Sequence, residues 1–198
     1  MRINRDKTRL ENSVRISIRD AALCLAAKDR VIPTLDSLVQ ETGLSAAQIE
    51  AYYPTMDDVA NEISKVAEAM FLDLEDAMPS PGPLAQMLDE LADLRARYYE
   101  AAADFKHLGD AGGHFLPSVA TSVAIRSARY RASLHELLEP HFLLSTDDMV
   151  AKVEFITSWE SWRHLRGLQR LSVDQAVALM KSILTAVASD VDQPVLAE

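Results

Sequence analysis

The sequence predicts an all-α protein, and three observations carry the prediction. Gly and Pro are scarce, 6 and 8 in 198 residues; alternating β-branched runs are few; and apolar residues recur at steps of three and four through most of the chain. The length suits one or two small domains that can bury a core without a metal or disulfide staple. The single cysteine, Cys24, excludes a disulfide framework and fits a reducing cytoplasm. Charges interrupt every apolar segment before it reaches the ~20 residues of a bilayer span, so no membrane insertion is expected. Arg15 and Arg19 break the N-terminal apolar stretch that a secretory signal would need.

The first helix is expected from Thr8 or Asn12 to Lys28, where Leu10, Val14, Ile18, Ala21, Ala22 and Leu25 share a face, with Pro33 marking the break after it. Thr34 is placed to N-cap a short helix carrying Leu35, Leu38 and Val39, and Gly43 suits its left-handed C-cap. Ser45 and Gln48 form an S-x-x-Q capping box that opens a second short helix with Ile49, Tyr52 and Tyr53, stopped by Pro54. Two such helices joined by the tight Gly43-Leu44-Ser45 turn are the helix-turn-helix signature. Thr55 with Asp58 caps a long connecting helix whose stripe of Val59, Ile63, Val66, Ala67, Met70, Phe71 and Leu74 reaches about Met78.

Pro79-Ser80-Pro81-Gly82-Pro83 is the clearest linker. Beyond it Leu84, Met87, Leu88, Leu91, Leu94 and Tyr98 define another helix, whereas Asp104 to Gly113, with Gly109, Gly112 and Gly113 close together, is expected to be short and irregular. Pro117 sits at the permitted first turn of a helix reaching Pro140. Ser145 to Asp148 open one more, and Ser172 with Gln175, a second S-x-x-Q box, opens the last.

Charge is unevenly placed. Residues 1 to 30 carry a local balance of +4, residues 31 to 62 hold six acids and no Lys or Arg, and the whole chain stands at -10. A protein this acidic has no general attraction to nucleic acid, so any such binding must come from a local basic surface, and the N-terminal arm alone offers one.

Three stretches go beyond the outline: Ile18-Arg19-Asp20-Ala21-Ala22-Leu23-Cys24-Leu25, then Thr34-Leu35-Asp36-Ser37-Leu38-Val39-Gln40-Glu41-Thr42-Gly43-Leu44-Ser45, then Gln48-Ile49-Glu50-Ala51-Tyr52-Tyr53-Pro54-Thr55. In order and spacing they resemble the helix-turn-helix head of the tetracycline-repressor (TetR) family of one-component regulators. Phe155 to Arg166 also resembles a segment common in part of that family. The resemblance implies a helix-turn-helix DNA-binding domain over residues 1–54. It implies a larger ligand-binding and dimerisation domain over residues 55–198, with residues 55–78 as the connecting helix.

The resemblance and the residues together single out Arg2, Arg5, Lys7, Thr34, Ser45, Ala46, Gln48, Tyr52 and Tyr53 for double-stranded DNA. Gln48 has the amide to read adenine bidentately in a major groove, helix N-termini hold phosphate, and a flexible basic arm can enter a minor groove. The departures from the family fall on the same face. Glu50 stands where a phosphate-contacting Tyr is usual, and Met56 where a Lys is usual. A carboxylate adds repulsion, and one lost Lys lowers the salt slope of binding by about one unit. A solvated arm and tyrosines that only pack the small domain are the structural alternative.

Phe155, Trp159 and Trp162 are spaced to share one face of a single helix. With Met87, Tyr98, Tyr99, Phe105 and Phe115 as the facing wall, they form the candidate site for an apolar small-molecule effector, which the resemblance places among the middle helices; plain core packing is the alternative for each. For the last helix the resemblance implies a homodimer surface, and Val173, Ala176, Val177, Met180, Ile183 and Leu184 make an apolar face broad enough for its own domain and a partner. His107, Asp110 and His114 lack a metal-ligand spacing, and Cys24 reads as a buried structural residue. No catalytic motif is present, so no enzyme, metal or cofactor is expected. The function so implied is a cytoplasmic, homodimeric, ligand-responsive repressor on a palindromic operator. The alternative is a dimer of the same type with weak or no DNA binding, acting as a ligand-sensing or protein-partner module.

Overall fold

The computed structural model describes the backbone of residues 2–29, 33–142 and 145–191, with side chains in those ranges except at residues 2–10, 27, 29, 190 and 191. Among the described residues all regular structure is helical: α1 (Arg2–Asp29), α2 (Leu35–Thr42), α3 (Ala46–Tyr52), α4 (Met56–Glu75), α5 (Leu84–Ala101), α6 (Ala103–Gly112), α7 (Pro117–Phe142), α8 (Thr146–Ile156), α9 (Trp159–Arg163), a π-helical turn (His164–Leu168) and α10 (Val173–Val191). None of these helices is long and apolar enough to cross a membrane.

The chain forms two compact units, residues 1–70 with 102–125 and residues 71–101 with 126–198. In the first, Ile18, Ala22 and Ala26 lie one turn apart on α1 and meet Leu38 of α2, Ile49 of α3, Tyr53, Val59 and Ile63 of α4, and Leu108 of α6. The helix-turn-helix is thus closed from behind by a helix some sixty residues downstream. Residues 103–112, expected to be irregular, form a regular helix. Phe105 and Leu108 pack into this core, and that burial outweighs the poor helix propensity of the glycines. A Cβ at Gly112 would stand a tight 3.3 Å from the Leu116 and Val119 side chains.

Three further expectations change along α1 and α4. Helix α1 begins at Arg2, so the backbone of the basic arm is helical and not a flexible extension. Cys24 is exposed, because Ile18, Ala22 and Ala26 set the buried line and position 24 lies off it. Helix α4 stops at Glu75, short of Met78, and Ala77 and Met78 lie outside the helix ahead of Pro79, which disfavours helical backbone before it.

In the second unit α5 buries Met87, Leu88, Leu91, Ala92, Ala96, Tyr98 and Tyr99, and α10 packs against both α5 and α8. The face expected to carry Phe155, Trp159 and Trp162 together does not exist as one helix. Helix α8 ends at Ile156, Thr157 turns the chain, and the Ser158 hydroxyl accepts the Ser161 N–H at 3.1 Å to cap a new helix. A periodicity argument fails across such a break. Phe155 is left 73% exposed while Trp159 and Trp162 are buried.

Candidate functional site

The turn between α2 and α3 is built from local chemistry. Gly43 adopts φ +69, the left-handed region that needs a glycine, and its N–H reaches the Val39 carbonyl. Thr34 and Ser37 cap each other's backbone N–H at the start of α2, at 2.9 and 3.2 Å. Ser45 and Gln48 do the same for α3, and Thr55 and Asp58 for α4. With Ile49 buried as its anchor, α3 presents Ala46, Ala47, Gln48, Glu50 and Ala51 to solvent, beside the exposed Ser45; Thr34 is exposed as well.

The structure alters what several of these residues can do. The Gln48 Oε1 atom accepts from both the Ser45 N–H, at 2.9 Å, and the Ser45 hydroxyl, at 3.0 Å. Both lone pairs are engaged, so bidentate adenine reading would require the capping box to open; the amide NH2 remains the donor. Tyr53, expected to face DNA, is 4% exposed and belongs to the core, because α3 ends at Tyr52 and the chain turns inward there. Its hydroxyl is buried and makes no hydrogen bond of good geometry among the described residues; burial pushes its pKa up, and the Arg15 guanidinium beside it pulls the other way. The Arg15 guanidinium lies 5.3 Å from the Tyr53 ring centroid and 5.8 Å from that of half-buried Tyr52. Met56 is partly buried against the same core. Glu50 is fully on the surface. The side chains of Arg2, Arg5 and Lys7 lie outside the described residues.

Asp57 is a site residue that the sequence did not reveal. Its carboxylate accepts the Ser118 N–H at 3.0 Å and the Ser118 hydroxyl at 2.7 Å, capping the first turn of α7 within the same compact unit. Nothing local marks a pair 61 positions apart; the hint was a helix opening on Pro117 with no capping side chain of its own.

In the second unit, Tyr98, Tyr99, Trp159 and Trp162 are buried side by side, whereas Met87 is buried near the start of α5, its sulfur accepting the Gly82 N–H. Tyr99 is the hub, with ring centroids 5.3 Å from Tyr98, 5.6 Å from Trp159 and 6.4 Å from Trp162. Phe155 is not brought into this group. Phe105 and Phe115 belong to the other compact unit, where Phe105 anchors α6 and Phe115 is 76% exposed beside His114. His107 faces Asp110 at 3.9 Å.

The cluster is more polar than the aromatic spacing suggested. Arg95, buried on α5, donates to the Tyr99 hydroxyl at 2.7 Å and to the Glu75 carbonyl oxygen at 3.1 Å. The Tyr99 hydroxyl donates to the Thr157 carbonyl oxygen at 2.8 Å, and Tyr130 shares a 2.6 Å hydrogen bond with the Thr157 hydroxyl. Burial holds the Tyr98, Tyr99 and Tyr130 hydroxyls above the ordinary phenol pKa, so all three stay neutral. At the rim, Glu100 accepts from Trp162 Nε1 at 3.1 Å and Arg166 Nε at 3.0 Å, and the Arg166 hydrogen bond holds its carboxyl below the usual glutamate value. The sequence signal for Arg95 was a charge following Leu91 and Ala92 on the buried side of α5.

The expected dimer face divides in two. Ala176, Met180 and Leu184, spaced one turn apart, are fully buried within their own unit and form core. Val173 and Val177 are half-buried, while Ile183 and Leu179 are exposed. A stripe at strict four-residue steps faces α5 and α8, and the positions flanking it are those left free.

No protein-family profile matches the chain, and no curated protein matches it. Two solved structures share the fold. A Pseudomonas aeruginosa PAO1 protein described as a transcriptional regulator superposes with a TM-score of 0.58 at 12% identity, covering 90% of this chain and 91% of that one. The multidrug binding protein EbrR, solved with imidazole, superposes with a TM-score of 0.52 at 18% identity, covering 92% of this chain and 96% of its own. This chain therefore has the all-helical fold of those two proteins over nearly its whole length.

Proposed function

We propose that this chain is a homodimeric one-component transcriptional regulator of TetR type, a cytoplasmic ligand-responsive repressor without catalytic activity or cofactor. Residues 1–54 read a palindromic operator; residues 55–198 sense an apolar small molecule and pair with a second copy, α4 (Met56–Glu75) being the connecting helix. The observation that carries the reading is the fully capped helix-turn-helix. Two short helices, a left-handed Gly43 and reciprocal Ser45–Gln48 capping hold an exposed α3 on a dedicated core. The likeness to two proteins described as a transcriptional regulator and a multidrug binding protein supports it.

In this mechanism a ligand acts through two states. If it binds better to the conformer whose reading heads mismatch the operator half-sites, it lowers operator affinity by its differential affinity for that conformer. Asp57 and Ser118 tie the start of α4 to the start of α7 inside the unit that carries the head, so the first turn of α7 moves with the reader. Dimer contacts fall to Ile183 and Leu179, with Val173 and Val177 at their edge.

The test is selection of bound duplexes from a random-sequence pool at moderate and low salt. Recovery of a palindromic site that is lost on Ala46→Glu supports the reader; absence of enrichment at both salts counts against it. A second reading, a dimer that senses ligand or a protein partner with little DNA affinity, draws on exposed Glu50 and core-bound Met56. Under it, Glu50→Tyr with Met56→Lys creates DNA binding where little existed, whereas a working reader gains only modestly.

A further inference from the structure

Arg95 is 4% exposed, carries a permanent charge, and pairs with no carboxylate among the described residues. Its two hydrogen-bond acceptors, the Glu75 main-chain oxygen and the Tyr99 hydroxyl, are both neutral. Its Nε–H is buried with no acceptor at all. Three phenol rings surround the guanidinium, their centroids 4.0 Å (Tyr130), 4.8 Å (Tyr99) and 4.9 Å (Tyr98) from Cζ. Ring faces offset part of the lost hydration, but a desolvated cation with a spare donor still calls for an anionic acceptor.

The nearest carboxylate is otherwise engaged. The Glu75 side chain, itself buried, lies 3.2 Å from Arg129 and 3.5 Å from Arg126, and Arg129 also meets Asp76 at 2.9 Å. Glu154, whose charge is felt at Tyr130, faces Arg131 at 3.3 Å. The Glu75 carboxylate is thus shared by Arg126 and Arg129, and what it offers Arg95 is its main-chain oxygen.

We propose that Arg95 is the anchor for an organic monocarboxylate with a ring-bearing apolar body. The carboxylate accepts the Arg95 Nε–H, and the body lies against the aromatic group of Tyr98, Tyr99, Tyr130 and Trp159. The site deepens the regulator reading and rests on it only for the ligand's role as effector. It also sets a sign: a ligand of the same shape bearing an ammonium meets Arg95 and is rejected.

The experiment uses calorimetric titration of the full chain with three matched probes, 2-naphthoate, 2-naphthamide and 2-naphthylmethylammonium. The expected result is at least about tenfold tighter binding of the carboxylate than of the amide, and no binding of the ammonium, as a charge-assisted hydrogen bond in a buried site implies. Arg95→Met removes the preference for the acid, and Arg95→Lys, which keeps the charge, retains part of it; thermal melts of both variants report folding separately. Equal binding of acid and amide, preference for the ammonium, or binding of none overturns the proposal, and these outcomes need no variant to fold. If Arg95 serves only as core, its substitution lowers stability and leaves the probe ranking unchanged. Carboxylate binding without any selected duplex would keep this site and remove the regulator. A selected duplex released equally by acid and amide would keep the regulator and remove this site.

Discussion

Tyr53→Phe separates a packing role from a DNA-contact role at one position. The Tyr53 hydroxyl is buried and makes no hydrogen bond of good geometry among the described residues, the neighbouring Arg15 guanidinium offsetting only part of the cost of its burial, and its ring belongs to the core shared by α1, α2, α3, α4 and α6. A buried polar group left unsatisfied costs about 1–3 kcal/mol, and deleting the oxygen also removes a few dispersion contacts. A net gain of about 1 kcal/mol is expected. For a chain of this length that raises Tm by about 2–4 °C, which thermal and urea unfolding followed by far-UV circular dichroism can measure. Affinity for a selected duplex should stay within about threefold, because a buried hydroxyl cannot donate to phosphate. A destabilised variant would refute the claim that the hydroxyl is unsatisfied. A Tm rise accompanied by about tenfold weaker duplex binding, the size of one lost hydrogen bond, would show that Tyr53 turns outward on DNA.

Gly43→Ala meets no neighbour within 4 Å, yet it forces an L side chain to φ +69, so a loss of about 1–2 kcal/mol is expected from a lower urea midpoint at unchanged slope. Asp57→Ala removes the cap from Ser118 and should cost about 1 kcal/mol, with Asp57→Asn recovering part of it by the same measurement. The Glu100 carboxyl titrates below its ordinary value of 4.5 in the folded chain, chiefly through the Arg166 hydrogen bond, so its stabilising contribution is present above that pH and is lost as pH falls through the folded value. Glu100→Gln should therefore flatten the acid side of the stability–pH curve below 4.5 while leaving its neutral side nearly parallel. The effect should be small, because the side chain is 40% exposed and screened by solvent.

What the sequence disclosed was whatever is fixed within one helical turn. Thr34, Ser45, Thr55 and Ser172 each cap a helix as their spacing predicts, because capping joins residues three apart, and Gly43 closes α2 for an equally local reason. What it hid depends on partners far along the chain. The helicity of residues 103–112 follows from Phe105 and Leu108 packing on the helix-turn-helix core, and the role of Asp57 follows from Ser118. The aromatic spacing of Phe155, Trp159 and Trp162 misled because Thr157 and Ser158 break the helix between them. At α10, an apolar face could be read but not divided: burial of Ala176, Met180 and Leu184 against α5 and α8 is a tertiary fact, and Ile183 stays outside by rotation around the same helix. Gln48 shows the limit within a local motif, since one oxygen cannot both complete a capping box and read a base.

The central claim, that the exposed face of α3 reads DNA, is tested most directly by titrating a selected palindromic duplex with the wild-type chain, with Ala46→Glu and with Ala120→Glu. Ala46 and Ala120 are both exposed helical alanines, on α3 and α7, so each substitution adds one solvated carboxylate with little effect on packing. The account predicts about tenfold or greater loss for Ala46→Glu, deepening at low salt as phosphate repulsion is less screened, and near wild-type affinity for Ala120→Glu. Equal affinity for all three chains would contradict it.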